Sequence, residues 1–124
     1  MCVIKAKGFK EMDMSGLEHM YFVLSEPDIE DKVLVVNITD INNPAGKDTS
    51  CILNVGDHPK ITKKSVAYYK KAMEMSASVI LKKLQTKDLN QIEDLSKQIL
   101  KKMQDGAKQS KFLPTKFKKY FDLF

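Results

Sequence analysis

Short apolar runs rich in β-branched and aromatic residues mark the first half of the chain. Residues 20–25 (Met-Tyr-Phe-Val-Leu-Ser) and 32–39 (Lys-Val-Leu-Val-Val-Asn-Ile-Thr) have the length of strands, and turn-forming residues follow each run. Residues 50–55 form a third run, which ends at Gly56. The pattern predicts three strands. Weak alternation before residue 16 indicates a further short strand or an ordered lead-in.

The spacing of apolar residues changes after Thr62. Apolar side chains then recur on one helical face with lysines mostly on the other, which predicts a helix over 63–74 with Thr62 as its cap. Residues 76–84 either continue this helix or form a strand, and the sequence Ser-Val-Ile-Leu at 78–81 favours the strand.

The clearest helical pattern covers residues 88–106, where apolar residues recur every three or four positions. Asp88 is placed to cap the first turn, and Gly106 is placed to end the helix. Residues 111–124 hold five aromatic side chains among four lysines, which is too apolar for a free linker. We expect this tail to dock on the body of the protein or on a partner.

These elements predict an α+β fold, an antiparallel sheet with C-terminal helices packed on it. A length of 124 residues suits one domain over residues 1–124, β-rich over 1–60 and helix-rich over 61–124. No apolar run approaches the length of about 18 residues that a membrane span needs, and the first residues lack the apolar core of a secretory signal. We expect a cytoplasmic protein that makes no membrane contact, with Cys2 and Cys51 as free thiols.

The charge is unevenly distributed. Residues 1–59 carry 5 Lys against 10 acidic residues, whereas residues 60–124 carry 16 Lys against 6 acidic residues. Clustered lysines attract nucleic acid or an acidic partner, although they also serve simply to solvate outer helix faces. All 21 basic residues are lysine, so any phosphate contact relies on lysine or backbone N–H groups. Lys60, Lys63 and Lys64 are the candidate residues for contacts with the phosphates of a nucleic acid such as RNA.

Candidate catalytic side chains concentrate in the segment Gly56-Asp57-His58-Pro59-Lys60, between the third predicted strand and the first predicted helix. His58 is suited to move protons near neutral pH, Asp57 to orient it, and Lys60 to face a phosphate. The alternative is a capping turn in which Asp57 accepts backbone hydrogen bonds. Ser65 is expected in the first turn of the helix, where it either packs or faces the same pocket.

His19 precedes one predicted strand and Thr39 ends the next. Antiparallel pairing would bring the two to the same edge of the sheet, where they form a second part of the candidate site. A zinc site formed with Cys51 or His58 is an alternative, but the spacing of His and Cys matches no metal motif. A cysteine nucleophile is another, but Cys51 lies inside a predicted strand, where cysteine commonly acts as a small apolar residue. We therefore expect no metal and no cofactor.

The motifs Gly16-Leu17-Glu18-His19, Phe22-Val23-Leu24-Ser25 and Asn37-Ile38-Thr39 occur in an order that resembles the core of PemK/MazF-like toxins. In that group a G-x-E element leads to a V-L-S strand and then to a strand that closes in I-T. The later Gly-Asp-His-Pro-x-Ile segment is similar to small bacterial proteins placed near these toxins. The resemblance covers about residues 15–70.

The resemblance implies a small SH3-like β-barrel or sheet and a metal-free endoribonuclease of a toxin–antitoxin system. RNA, an antitoxin protein and a second copy of the chain are the partners it implies. Thr39 matches the Thr or Ser that the family places after the I-T strand, but the Arg that follows the G-x-E element has no counterpart, since the chain contains no arginine. The alternative is a noncatalytic protein-binding module, such as an antitoxin, an accessory protein or a phage-encoded factor, that uses the basic C-terminal half.

Overall fold

The longest strand, β3 (Lys32–Asp40), lies at the centre of an antiparallel sheet in a computed structural model that describes residues 4–12, 16, 18–43 and 47–124. Its residues from Val33 to Ile38 are buried, because both faces of the sheet are covered. Val and Ile suit such a position, since β-branched side chains pack well on a pleated surface.

Strands flank β3 on both edges. β2 (Glu18–Val23) pairs along one edge, with Met20 opposite Ile38, and β1 (Gly8–Met12) and β7 (Asn90–Ile92) extend the sheet on that side. On the other edge, β6 (Met73–Ser76) pairs with the first half of β3. β5 (Ser65–Ala67) pairs with its end, and β4 (Ile52–Leu53) lies outside β5.

The strand order is β4-β5-β3-β2-β1-β7, with β6 also beside β3. In the part of the chain that is described, β4 and β7 do not pair, so the sheet is open. The predicted α+β class, an antiparallel sheet with helices packed on it, is confirmed, and the alternative of a closed barrel is wrong. The predicted strands 20–25 and 32–39 are confirmed, whereas the strand over 50–55 is reduced to two residues.

Helix α1 (Ala77–Gln85) packs on one face of the sheet, which we call the α1 face. Its Ala77 and Ile80 join a cluster that includes Phe9, Val23, Val33, Val35 and Leu89. Side chains of alternate residues on a strand point to opposite faces, so the neighbouring residues Phe22, Leu34, Val36 and Ile38 belong to the other face.

Helix α2 (Lys97–Gln109) and a C-terminal 3-10 helix (Thr115–Leu123) cover this second face, which we call the α2 face. Ile99 and Met103 of α2 pack there beside Leu113, Phe117 and Tyr120 of the tail. The expectation that residues 111–124 dock on the body is confirmed. Among the described residues, no helix is long and apolar enough to span a membrane.

Two sequence-based assignments, the helix over 63–74 and the strand over 76–84, are wrong. Residues 63–74 do not form a helix capped by Thr62; they contain β5, a short 3-10 helix (Tyr69–Lys71) and the start of β6. Residues 77–85 form a helix, because the Ser76 side chain accepts a hydrogen bond from the backbone N–H of Val79 and starts it. The second half therefore contributes three strands as well as helices.

The predicted helix over 88–106 is confirmed only in its second half. Its first part forms β7, and the side chain of Ser96, not Asp88, caps α2 by accepting the N–H of Ile99 at 3.2 Å. Gly106 lies inside α2. A Cβ atom there would meet the Tyr69 hydroxyl and lie 2.7 Å from Cys51 Cβ, so glycine allows close packing at this point.

Candidate nucleic-acid interface

Asp57 closes the turn between β4 and the following loop. Its backbone N–H donates to the carbonyl of Asn54 at 3.0 Å, and its carboxylate accepts the N–H of Asn54 at 2.8 Å. Gly56 adopts a φ of +99°, a value that favours glycine. The Lys102 ammonium lies 3.6 Å from the Asp57 carboxylate, so this turn is tied to α2. These are the contacts of a capping turn.

His58 connects the same loop to the segment that precedes α2. Its Nε2 donates to the carbonyl of Glu93 at 2.6 Å, and its Nδ1 accepts the N–H of Lys60 at 3.0 Å. The ring is 2% exposed and packs edge-to-face on Phe22 at 5.0 Å. Because backbone groups occupy both ring nitrogens, the imidazole acts here as a structural cross-link and presents neither nitrogen to a substrate.

His19 and Thr39 lie side by side, as the antiparallel pairing of their strands predicts. The β2–β3 register runs to Met20 opposite Ile38, which places His19 and Thr39 at the next position of the two strands. Both residues are partly exposed and point to the α1 face, and the His19 ring lies 6.3 Å from that of Tyr21. The sheet therefore separates this pair from His58, which contacts the α2 face.

Ser65 lies in β5 and not in the first turn of a helix. Its buried hydroxyl donates to the carbonyl of Lys63 at 2.8 Å, and the residue pairs with Asp40 across the sheet. Lys60, Lys63 and Lys64 are exposed on the loop that holds His58, so their ammonium groups are accessible. The five predicted catalytic residues thus divide between the two faces of the sheet and do not form one cleft.

Cys51 is buried and its thiol is free. Burial raises its pKa, which disfavours the thiolate that nucleophilic chemistry requires. Cys51 is therefore a poor candidate for a nucleophile. Within the described residues, no group of three His, Cys, Asp or Glu side chains is arranged to hold a metal ion.

Positive charge is concentrated in the cover of the α2 face. We call residues 97–124, comprising α2 and the tail, the basic layer; they carry eight lysines against only Asp105 and Asp122. The stretch 77–88 that covers the α1 face carries three lysines and one aspartate. The side chains of the basic layer therefore carry a formal charge of +6, against +2 for the stretch 77–88.

Several lysines of the basic layer rest on aromatic rings. The ammonium groups of Lys108, Lys116 and Lys119 lie 5.9, 5.1 and 5.2 Å from the ring centroids of Phe124, Phe117 and Tyr120 respectively. Such cation–π contacts hold the lysine stems against the protein while the charged ends stay near solvent. The aromatic residues of the tail thus both fill the core and position part of the charge.

A pocket of about 270 Å³ opens at the end of α2. Residues 47–50 form one side, and Gln109, Lys111 and Phe112 form the other. The buried Asp48 carboxylate joins the two sides, since it accepts the Ser50 hydroxyl and the Ser110 hydroxyl, each at 2.6 Å. Two lysines, Lys47 and Lys111, line the pocket together with Phe112, which is 48% exposed.

No protein-family model matches the chain, and comparisons with curated proteins and with solved structures found no match.

Sequence reasoning did not single out Phe112, Lys111 or the 47–50 segment as parts of one site. Aromatic residues among lysines did indicate a docking tail, but the pattern alone does not say which rings point inward. Leu113 and Phe117 are buried and Phe112 is not, because the Ser110 hydroxyl accepts the N–H groups of Phe112 and Leu113 and sets the direction of the chain.

Proposed function

We propose that this protein binds single-stranded RNA on its basic layer. The single observation that carries the proposal is the composition of residues 97–124, which cover one face of the sheet and carry eight lysines against two aspartates. Phosphate neutralisation by lysine supplies most of the affinity in nonspecific nucleic-acid binding. Exposed Lys60, Lys63 and Lys64 belong to the loop that Asp57 ties to α2, so they extend the same charged region.

The residue types support binding that tolerates many sequences. Lysine contacts phosphate as a point charge, whereas reading a guanine edge with two parallel hydrogen bonds is typical of arginine, which the chain lacks. Exposed aromatic rings near lysines are the usual means by which proteins hold single strands, because every base has a face that stacks. We therefore expect affinity to depend strongly on salt and weakly on sequence.

The test compares two triple variants that change the net charge equally. Lys97→Gln/Lys111→Gln/Lys118→Gln alters exposed lysines of the basic layer, and Lys82→Gln/Lys83→Gln/Lys87→Gln alters exposed lysines on or next to α1. Affinity for a fluorescein-labelled single-stranded RNA is measured by anisotropy between about 50 and 200 mM salt. If the three basic-layer lysines contact phosphates, their loss reduces the slope of log K against log salt by about 2.

The control variant should keep the wild-type slope. Equal weakening by both variants would mean that only total charge matters, and the proposed surface would then be wrong. A wild type that binds no RNA at the lowest salt would overturn the function itself. Tighter binding of an acidic polypeptide than of RNA would instead favour the protein-binding module.

A second candidate function is RNA cleavage at the His19–Thr39 edge. It is supported by the adjacency of these partly exposed residues and by the resemblance of their strands to PemK/MazF-like toxins. His58 is an unsuitable acid or base because backbone groups hold both of its ring nitrogens. Induced expression of wild type, His19→Ala and His58→Ala tests this idea. Growth arrest and RNA breakdown that only His19→Ala abolishes would support it, whereas intact RNA with all three would contradict it.

A further inference from the structure

We propose that the pocket between residues 47–50 and 109–112 receives one unpaired nucleobase of the bound strand, which stacks on Phe112. This inference rests on the proposed binding of RNA by the basic layer. The pocket is continuous with the basic layer, since Gln109, Lys111 and Phe112 belong to the layer and also line the pocket.

The size of the pocket favours a single ring system. Pockets that enclose a drug-sized ligand measure about 300–1,000 Å³. A volume of about 270 Å³ lies just below that range and suits one base, with its ribose and phosphates outside. Lys47 and Lys111 are both exposed at the pocket, where their ammonium groups can meet the flanking phosphates.

Phe112 has the properties of a stacking platform. Its side chain is 48% exposed, but its backbone is fixed because its N–H donates to the Ser110 hydroxyl at 3.0 Å. The next residue, Leu113, is buried in the α2-face core and anchors the chain on the other side. Because the backbone of Phe112 is already fixed and its ring is open to solvent, stacking of a base on the ring costs little backbone entropy.

The polar wall opposite the ring is also preorganised. Asp48 accepts the backbone N–H of Ser50 at 3.1 Å and the hydroxyls of Ser50 and Ser110, which joins the 47–50 segment to the end of α2. On the same side of the pocket as Phe112, the Gln109 side chain offers both a donor and an acceptor, so it can meet the edge of more than one base. These polar groups therefore orient a base without selecting one strictly.

The experiment varies the ring at position 112 and the bases of the ligand separately. Wild type, Phe112→Leu and Phe112→Tyr are titrated with a labelled oligouridylate and with an abasic ribose-phosphate oligomer of equal length. We expect wild type to prefer the oligouridylate, Phe112→Leu to lose about tenfold in affinity for it with an unchanged salt slope, and Phe112→Tyr to keep that affinity. Affinity for the abasic oligomer should not change.

Other outcomes would overturn the inference in distinguishable ways. If wild type binds RNA with a steep salt slope but Phe112→Leu has no effect, or weakens both oligomers equally, no base occupies the pocket and RNA binding by the layer still stands. If wild type binds neither oligomer, the proposed function fails and the pocket assignment fails with it. If Phe112→Leu weakens binding of polyglutamate as much as that of oligouridylate, the pocket takes an acidic peptide. Because Phe112 is half-exposed, we expect the variants at this position to fold like wild type, and thermal unfolding of each variant checks this.

Discussion

The two faces of the sheet are covered in different ways. On the α1 face, a nine-residue helix rests on an apolar cluster, and its polar contacts lie at the rim, where Asp31 accepts the Ser76 hydroxyl and the N–H of Ser78. The side chain of Ser78, then its N–H and the Ser76 hydroxyl, lower the pKa of Asp31 by hydrogen bonding to its carboxylate. Hydrophobic contacts hold this helix on the sheet, and one cap fixes where it begins.

On the α2 face, directional hydrogen bonds accompany the apolar contacts. The Tyr69 hydroxyl donates to the carbonyl of Met103 at 2.6 Å, and the Gln104 amide donates to the carbonyl of Leu24 at 2.9 Å. Burial raises the pKa of Tyr69, so its hydroxyl stays a donor. Such directional bonds fix the rotation of α2 about its axis and its position along the sheet. The lysines on its outer side consequently have defined positions.

The largest effect should follow from removing the apolar contacts of the tail on the α2 face. Leu113, Phe117 and Tyr120 are buried, and each contributes about 1.5–3 kcal/mol on burial, against a total stability of about 5–15 kcal/mol for a domain. We expect Leu113→Ala/Phe117→Ala/Tyr120→Ala to abolish cooperative unfolding in urea followed by circular dichroism. The control Lys111→Ala/Lys118→Ala should change stability by no more than about 0.5 kcal/mol. A triple variant with an unchanged midpoint would show that the tail is not part of the core.

The contrast between the faces also explains which parts of the fold the sequence predicts. Strands β2 and β3 are predictable because their runs are apolar on both sides and turn formers bound them. Residues 73–76 gave no such signal. Glu74 sits between two methionines in β6, and its carboxylate is accommodated because Tyr120, 46 positions later, donates to it. A local pattern contains no information on a partner so far along the chain.

The candidate site was predictable only in part. The adjacency of His19 and Thr39 follows from strand order, which sequence reasoning supplied. The structural role of His58 could not be predicted from the sequence. A Gly-Asp-His-Pro turn is compatible with a catalytic or a structural histidine, and only the fold places the carbonyl of Glu93 beside the ring. The two sides of the pocket at Phe112 are joined by the hydrogen bond between Asp48 and Ser110, which are 62 positions apart. No local sequence pattern reveals such a pairing.

A smaller effect should follow from removing the His58 cross-link. His58→Leu leaves the carbonyl of Glu93 and the N–H of Lys60 without their partner, which we expect to lower the free energy of unfolding by about 1–3 kcal/mol. The measurement is urea unfolding at neutral pH. His19→Leu, on the other face and partly exposed, should cost less than half as much. Equal losses in the two variants would argue against a structural role specific to His58.

The smallest effect concerns the hydrogen bond between the Tyr120 hydroxyl and the Glu74 carboxylate, 2.5 Å long, beside the Lys119 ammonium at 3.5 Å. The bond from Tyr120 is the main cause that lowers the pKa of Glu74 below its usual 4.5. A carboxyl group with a lowered pKa in the folded state stabilises the protein above its unfolded pKa and loses that contribution as pH falls through the folded pKa. The bond is partly exposed, so we expect Tyr120→Phe to cost about 1 kcal/mol at neutral pH and less in acid.

Glu74→Gln should remove the same acid-dependent contribution, and Glu30→Gln, an exposed carboxyl in a turn, serves as its control. The measurement is the urea midpoint of each variant from neutral pH down to below about pH 4, with the double variant to isolate the coupling between the two side chains. The gap between wild type and Tyr120→Phe should narrow as pH falls, because protonation of Glu74 weakens the bond in wild type. A gap that stays constant with pH would mean that Tyr120 stabilises the α2 face through packing alone, and the directional contacts of this face would then not include this pair.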